Sequence, residues 1–274
     1  MSVNLIEWDK SGEKQYQTGI DRVALYHLYE VTNTATSAVS KQFRLVAAWN
    51  GVSALNESPS GAESNKIYAD NLEYLNLISN EELSVTLEAY TSPEKFDECD
   101  GMANLSGLKI HGVSRRPFAL AYRVLKGNDE NEANGENYGY EYHLLYNCKA
   151  GVASRDNATV NDSPEAGTFS WEISTEKVEV DGMSPTSHVI IDIAALRDGV
   201  LVNGTTKTAA TTGTGNISSI KSAVEALLYD KDTDSSATFK DIYADATVTD
   251  VYKGKCPLPD ELDDDSTLTV AYNT

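Results

Sequence analysis

The chain has 274 residues, room for one large domain or two small ones, and a hydrophobic fraction of 41% that suits a globular core. Its 42 acidic residues against 22 basic ones leave a formal net charge of −20, with acids interspersed among the bases, which excludes a surface built to attract nucleic acid. No apolar run reaches the length of a membrane span. Three widely spaced cysteines without CxxC spacing exclude a disulfide framework or a zinc knuckle, and fit a reducing compartment.

Tyr outnumbers Phe fifteen to five, and Ser, Thr, Asn and Gly recur throughout, a composition that favours strands and turns. The start, "MSVNLIEWDKSGEK", has no basic segment followed by an apolar core, so no signal peptide is expected. Strands are predicted near 20–30, 43–49 and 67–78. At 83–89 Leu83, Val85, Leu87 and Ala89 alternate with polar neighbours, giving a strand one apolar face. A short helix is predicted over 93–99, with Ser92 as cap, Pro93 at its first position and Gly101 beyond its end. Further strands follow at 117–125, at 138–146, at Phe169–Ile173 and at 187–193. Residues 198–216 are low in complexity and read as an insertion. One helix stands out at 217–229, where Ile217, Ile220, Val224, Leu227 and Leu228 share a face and Asn216 or Ser218 offers an N-cap. A strand at 245–252 and an acidic segment, "PDELDDD" at 259–265, close the chain. Many strands with few helices between them predict a mainly β, antiparallel sandwich with one flanking α-helix, organised as a single domain over 1–274.

Residues 56–71, "NESPSGAESNKIYADN", carry a serine, carboxylates and asparagines, and both ends echo elsewhere: "NDSP" at 161–164 and "IYAD" at 242–245. No G-x-S-x-G surrounds Ser58, and the four histidines, His27, His111, His143 and His188, are scattered. A hydrolase using Ser58 or Ser163 therefore ranks below a turn, in which Asn and Ser bond the backbone and Pro fixes φ. "DKDTDSSATFKD" at 230–241 places Asp230, Asp232 and Asp234 as a calcium loop would. It lacks the glycine at position six, where Ser235 stands, and the glutamate at position twelve, where Asp241 stands, so an acidic turn is expected. The stripe Tyr138, Tyr140, Tyr142 reads as a sheet surface facing the core or another subunit, ahead of a sugar platform.

Several stretches, in order, resemble the major tail protein family of long non-contractile-tailed bacteriophages. They are "WNGVSALNESPSGAESNKIYADNLEYLNLISNEELSVTLEAYTSPEKFDECDG" at 49–101, "RRPFALAYRVLKGND" at 115–129, "YGYEYHLLYNCKA" at 138–150, "ATVNDSPEAGTFSWEISTEKVEVDG" at 158–182, "AVEALLYDKD" at 223–232 and "PLPDEL" at 257–262. The resemblance implies a tail-tube subunit: a β-sandwich with a flanking helix, its sheets continued between subunits into a ring-shaped barrel, hexameric rings stacking into a conduit for DNA ejection. It implies partners in further copies of itself and in tape measure, tail terminator and distal tail proteins, with no enzyme activity, no cofactor and no metal. It also implies a place in the virion after assembly in the host cytoplasm. Within that frame the polar segment Trp49–Lys66 is the expected inter-ring loop, with Asn56, Ser58, Pro59, Gly61 and Lys66 as its candidates. Tyr138, Tyr140 and Tyr142 are the expected subunit-interface strand. An acidic wall repels DNA over about a Debye length, roughly 8–10 Å at physiological salt. The alternative is a β-sandwich carbohydrate-binding or decoration module of a virion.

Overall fold

A computed structural model describes residues 10–12, 14–130, 139–155, 157, 159, 166–193 and 217–263. Its strands are β1 (Gln15–Asn33), β2 (Val39–Ala48), β3 (Val52–Ser60), β4 (Ser64–Ala69), β5 (Leu72–Ile78), β6 (Glu82–Ala89), β7 (Met102–Leu105) and β8 (Leu108–His111), followed by β9 (Phe118–Asn128), β10 (Tyr140–Ala150), β11 (Ser154–Arg155), β12 (Phe169–Ser174), β13 (His188–Asp192), β14 (Ala237–Asp241), β15 (Ala246–Val248) and β16 (Lys255–Cys256). Two helices, α1 (Ile217–Tyr229) and α2 (Pro259–Asp263), and a 3-10 turn at Glu94–Phe96 complete the described elements. The fold is mainly β, its strand pairings antiparallel. The chain forms two compact units: residues 1–48, 120–144 and 189–274 make the first, residues 49–119 and 145–188 the second.

In the first unit β1 is the spine. Its later half pairs with β14, Tyr29 opposite Asp241, and on its other side with β2, from Ala24 opposite Ala48 to Thr32 opposite Val39. β15 extends β14, β16 extends β2, and β9 and β10 follow β1 in the strand order. Tyr29, Val31, Phe239 and Val251 pack together with Val46 and Val248 against them. Helix α1 buries Val224 and Leu228, one turn apart, and the buried Tyr26 hydroxyl donates to the Leu228 carbonyl at 2.9 Å. Gly254 allows this approach, since a Cβ there would lie 2.7 Å from the Leu228 oxygen. The side of α1 bearing Glu225 is held by charge: Arg123 donates to Asp21 at 2.7 Å and to Glu225 at 2.9 Å, and Arg22 reaches Glu225 at 2.6 Å.

In the second unit β12, β6 and β3 form an antiparallel sequence. Trp171 faces Leu87 and Ile173 faces Val85, while on the other side of β6 Leu55 faces Leu87 and Glu57 faces Val85. Val85, Leu87 and Ala89 are buried, as their alternation predicts. The core is aromatic: Phe96 lies 4.5 Å from Trp49 and 5.4 Å from Trp171, ring centre to ring centre, and Phe118 stands edge-on to Phe96 at 5.3 Å. Trp49 Nε1 donates to the Thr91 carbonyl at 2.8 Å, so its polar edge is satisfied. Cys99 and Cys148 in this unit, and Cys256 in the first, are buried and not joined in disulfides.

Several local expectations are corrected. Residues 67–78 are not one strand but most of a hairpin, because Asp70 (φ 52°) and Asn71 (φ 63°) turn the chain in the left-handed region that Asp and Asn tolerate. Residues 56–59, expected as a turn, lie inside β3. The helix expected at 93–99 contracts to the 3-10 turn at Glu94–Phe96, with Pro93 as its flanking residue. The strand expected at 245–252 is confined to Ala246–Val248, and β14 precedes it where the acidic turn was expected to continue. The segments 161–164 and 198–216, Tyr138, Ser163, Asn216 and the end of the acidic tail lie outside the described residues.

Candidate assembly surface

β4 and β5 form a two-stranded ladder of their own, and every one of their residues is exposed. Isolated two-stranded hairpins are marginally stable in water, so an arm of this kind calls for a partner. Its composition gives the two faces of the hairpin different character. Residues opposite one another share a face. Asn65 faces Leu77, Ile67 faces Leu75 and Ala69 faces Leu72, which gathers Ile67, Leu72, Leu75 and Leu77 on one side. Leu72 and Leu75 are three apart, a spacing that puts residues of a regular strand on opposite faces. The register shift between Ile67 and Tyr68 leaves Tyr74 as an extra residue in β5 and returns both leucines to one face. The opposite face is mixed, with polar residues beside Tyr68 and Ile78. Lys66 Nζ donates to Glu73 at 2.9 Å and Ser64 Oγ to Asn76 at 2.6 Å, beside Tyr68. Fully burying a Leu or Ile is worth about 1.5–3 kcal/mol, so this uncovered stripe is a substantial unmet driving force.

The arm joins the β3–β6 ladder through a break on both strands, at 61–63 and 79–81. Gly61 stands there with φ 94°, and a Cβ on it would fall 2.2 Å from the Asn80 carbonyl oxygen. The joint keeps a short bridge: Ser79 N donates to the Glu63 carbonyl at 3.0 Å, and Glu63 N donates to Ser79 Oγ at 3.0 Å.

Of the residues named in advance, Gly61 is this joint and Lys66 lies on the arm's polar face. Asn56, Ser58 and Pro59 lie on β3, the last strand in the order β12–β6–β3. Pro59 offers no N–H, and Glu57 points to the same side as Val85, so this edge carries two features that discourage stray pairing. Ser58, one residue on, points to the other side, whereas His188 Nε2 lies 3.7 Å from Glu57 Oε1. Glu57 and His188, with Pro59, Glu81, Leu83 and Lys177, line an open cleft of about 340 Å3. Alternation along β3 therefore turns Ser58 away from His188.

Tyr140 and Tyr142 are inside the first unit, 5% and 0% exposed. The Arg123 guanidinium sits 4.0 Å over the Tyr140 ring, and the Tyr142 hydroxyl donates to Glu225 at 2.9 Å. Burial pushes the Tyr142 hydroxyl well above the ordinary tyrosine range. Both tyrosines are thus packed within the first unit, Tyr140 under Arg123 of β9 and Tyr142 against Glu225 of α1. The acidic run at 230–234 is likewise engaged locally. Asp230 Oδ1 accepts from Asp232 N at 2.9 Å, Asp234 Oδ1 accepts from Ser236 N at 2.9 Å, and Asp234 Oδ2 pairs with Arg44 at 3.2 Å.

No family model matches the chain, and no curated protein matches it. Solved structures overlap it loosely. One is the sheath–tube complex of an extracellular contractile injection system, PVC, at 10% identity over 62% of this chain and 88% of that one, TM-score 0.29. Another is the baseplate of the anti-feeding prophage, at 10% identity over 70% of this chain and 97% of that one, TM-score 0.30. Hcp1 from Salmonella typhimurium overlaps at 8% identity over 83% of this chain and 100% of that one, TM-score 0.27.

The apolar stripe on β5 escapes sequence reading because its spacing mixes two and three residues. The signal that could have found it is "ADN" at 69–71, a pair of turn-forming residues in the middle of an apolar run.

Proposed function

We propose that the protein is a structural, self-assembling subunit of a phage-type tail tube. The observation that carries this reading is the free β4–β5 arm, whose Ile67, Leu72, Leu75 and Leu77 share one uncovered face. A solvent-exposed apolar face of this kind is a protein-contact surface, and the guarded edge at β3 suits a chain that must pair only in the right company. The net charge of −20 suits a wall along which DNA passes without adhering. In this reading copies form hexameric rings that stack into the DNA conduit of a virion, with tape measure, terminator and distal tail proteins as neighbours, and the protein catalyses nothing. The ordered sequence resemblance to the major tail proteins supports those finer features.

Negative-stain microscopy of the purified protein, alone and with tail partners, tests the reading. Rings or tubes are the expected result. A compact monomer under every condition, never entering a tube, overturns it.

A further inference from the structure

The first unit buries a charged cluster that the assembly reading leaves unused. Lys126 is the one buried lysine among the described residues. Its Nζ touches two carboxylates, 2.6 Å from Asp192 Oδ2 and 2.8 Å from Glu141 Oε1. The three side chains come from β9, β10 and β13, strands that pair in that order. The Lys126 and Glu141 side chains are each 9% exposed and that of Asp192 28%, so the amine is shut in while the aspartate keeps an opening to water. Glu141 is held from behind: its Oε2 accepts from Gln17 and lies 3.7 Å from His143 Nε2, whose ring stacks on Tyr122 at 4.7 Å. That leaves Oε1 to Lys126. By contrast, the lysine–carboxylate contacts Lys66–Glu73 and Lys149–Glu176 are open to water on both sides.

An amine and a carboxylate held in contact are the two halves of an amide. In open water their union is opposed, because both groups are charged and solvated. Burial disfavours both charges, and merging them into a neutral amide removes that cost. Fixed contact also lets groups react as if at effective concentrations of about 10⁵–10⁸ M.

We propose that Lys126 and Asp192 join in an intramolecular amide, with Glu141 as the proton carrier. Nζ attacks Asp192 Cγ, one bond beyond the oxygen it contacts. The Nζ–Cγ bond forms and one Cγ–O bond breaks. Two of the three ammonium protons pass through Glu141 to the departing oxygen, which leaves as water, and the third stays on the amide nitrogen. The charges of the ammonium and the carboxylate cancel, Glu141 ends as it began, and no other reactant is needed. Burial pushes Lys126 toward the neutral amine, but hydrogen bonds to Asp192 and Glu141 outweigh it and hold the ammonium above the ordinary lysine range. The reactive amine is therefore scarce and the step slow: freshly folded chains keep the ion cluster, and aged ones gain the amide. The bond joins residues 66 positions apart and ties the end of β13 to β9 across β10, restricting the unfolded chain as a disulfide does. It forms within one folded chain, so it stands apart from the tail-tube reading.

Intact mass under denaturing conditions tests the proposal, on freshly purified protein and after several days at neutral pH. The expected result is a species one water lighter that accumulates with time, in which tandem mass spectrometry finds the peptides of Lys126 and Asp192 joined. Lys126→Arg keeps a cation beside the carboxylates but has no reactive amine, and Asp192→Ala removes the group attacked. Both should keep the full mass, and circular dichroism confirms that each folds. Glu141→Gln should join at least about a hundredfold more slowly, the scale of a lost general acid–base group. A merely structural ion pair would leave every mass unchanged. A folded parent that retains its full mass therefore overturns the proposal, as does a water loss that persists in Lys126→Arg. A Glu141→Gln chain that joins as fast as the parent removes Glu141 from the reaction.

Discussion

Ile67 faces Leu75 across the β4–β5 ladder, and the two remain 41% and 47% exposed although both are large and apolar. A monomer gains nothing by displaying them. Substituting a residue of this stripe therefore separates assembly from folding. Leu75→Lys should leave thermal stability within about 0.5 kcal/mol of the parent, as exposed surface changes do. It should abolish rings and tubes in the microscope and large species in sedimentation velocity. Normal tubes from Leu75→Lys would show that the stripe is idle.

Gly61 sets where that arm points. A methyl group at this position meets the Asn80 carbonyl oxygen at 2.2 Å, and its φ of 94° lies where only glycine is at ease. Gly61→Ala should cost on the order of 1–3 kcal/mol locally and displace the arm. The expected outcome is faster amide exchange across Ser64–Ile78 with the core strands β6 and β12 unchanged, together with loss of assembly. Exchange that matches the parent throughout would mean that the joint accommodates a side chain.

The arm also shows how far the sequence was legible. Regular alternation read well: Leu83, Val85, Leu87 and Ala89, and likewise Trp171 and Ile173, landed facing inward on β6 and β12. What failed were the places where strands are bent or broken. The bulge at Tyr74 hides the face shared by Leu72 and Leu75, and the turn at Asp70–Asn71 lies inside what reads as one apolar run. The "IYAD" echo has a local explanation of the same kind. Asp70 and Asp245 end their copies with φ of 52° and 50°, each at a hairpin turn, in β4–β5 and in β14–β15. The tyrosine stripe was legible as a strand face. What covers it was not, because Arg123 and Glu225 are about a hundred residues apart in the chain, 102 positions, and only the fold brings them to Tyr140 and Tyr142.

That pair is the basis of a stability prediction. Glu225 accepts from Arg123, Arg22 and Tyr142 together, while Asp21 holds Arg123 from the other side. Glu225→Ala removes the carboxylate and leaves the buried Arg123 guanidinium with the Asp21 carboxylate, the Tyr140 ring and the Tyr142 hydroxyl. Hydrogen bonds to charged groups contribute about 1.5–3 kcal/mol, so a loss of roughly 2 kcal/mol is expected in urea unfolding monitored by circular dichroism. Glu225→Gln, which keeps an acceptor, should recover part of it. A loss under about 0.5 kcal/mol for the alanine variant would mean that α1 is held by Val224 and Leu228 alone.

Glu141 supplies the pH dependence. Hydrogen bonding from His143, and with it the Lys126 ammonium at 2.8 Å, outweighs burial and holds its carboxyl below the ordinary glutamate range. A depressed carboxylate pKa in the folded state means that the unfolded chain binds the proton more readily. Its contribution is therefore fully present above the unfolded value, about 4.3, and is lost as pH falls through the lower folded value. Lys126 is also held by Asp192 at 2.6 Å, so Glu141→Gln should still fold. The expected result is a stability gap between parent and Glu141→Gln that is constant from neutral pH down to about pH 5 and narrows below it. A gap that stays constant to pH 3 would place the acid sensitivity of the first unit elsewhere.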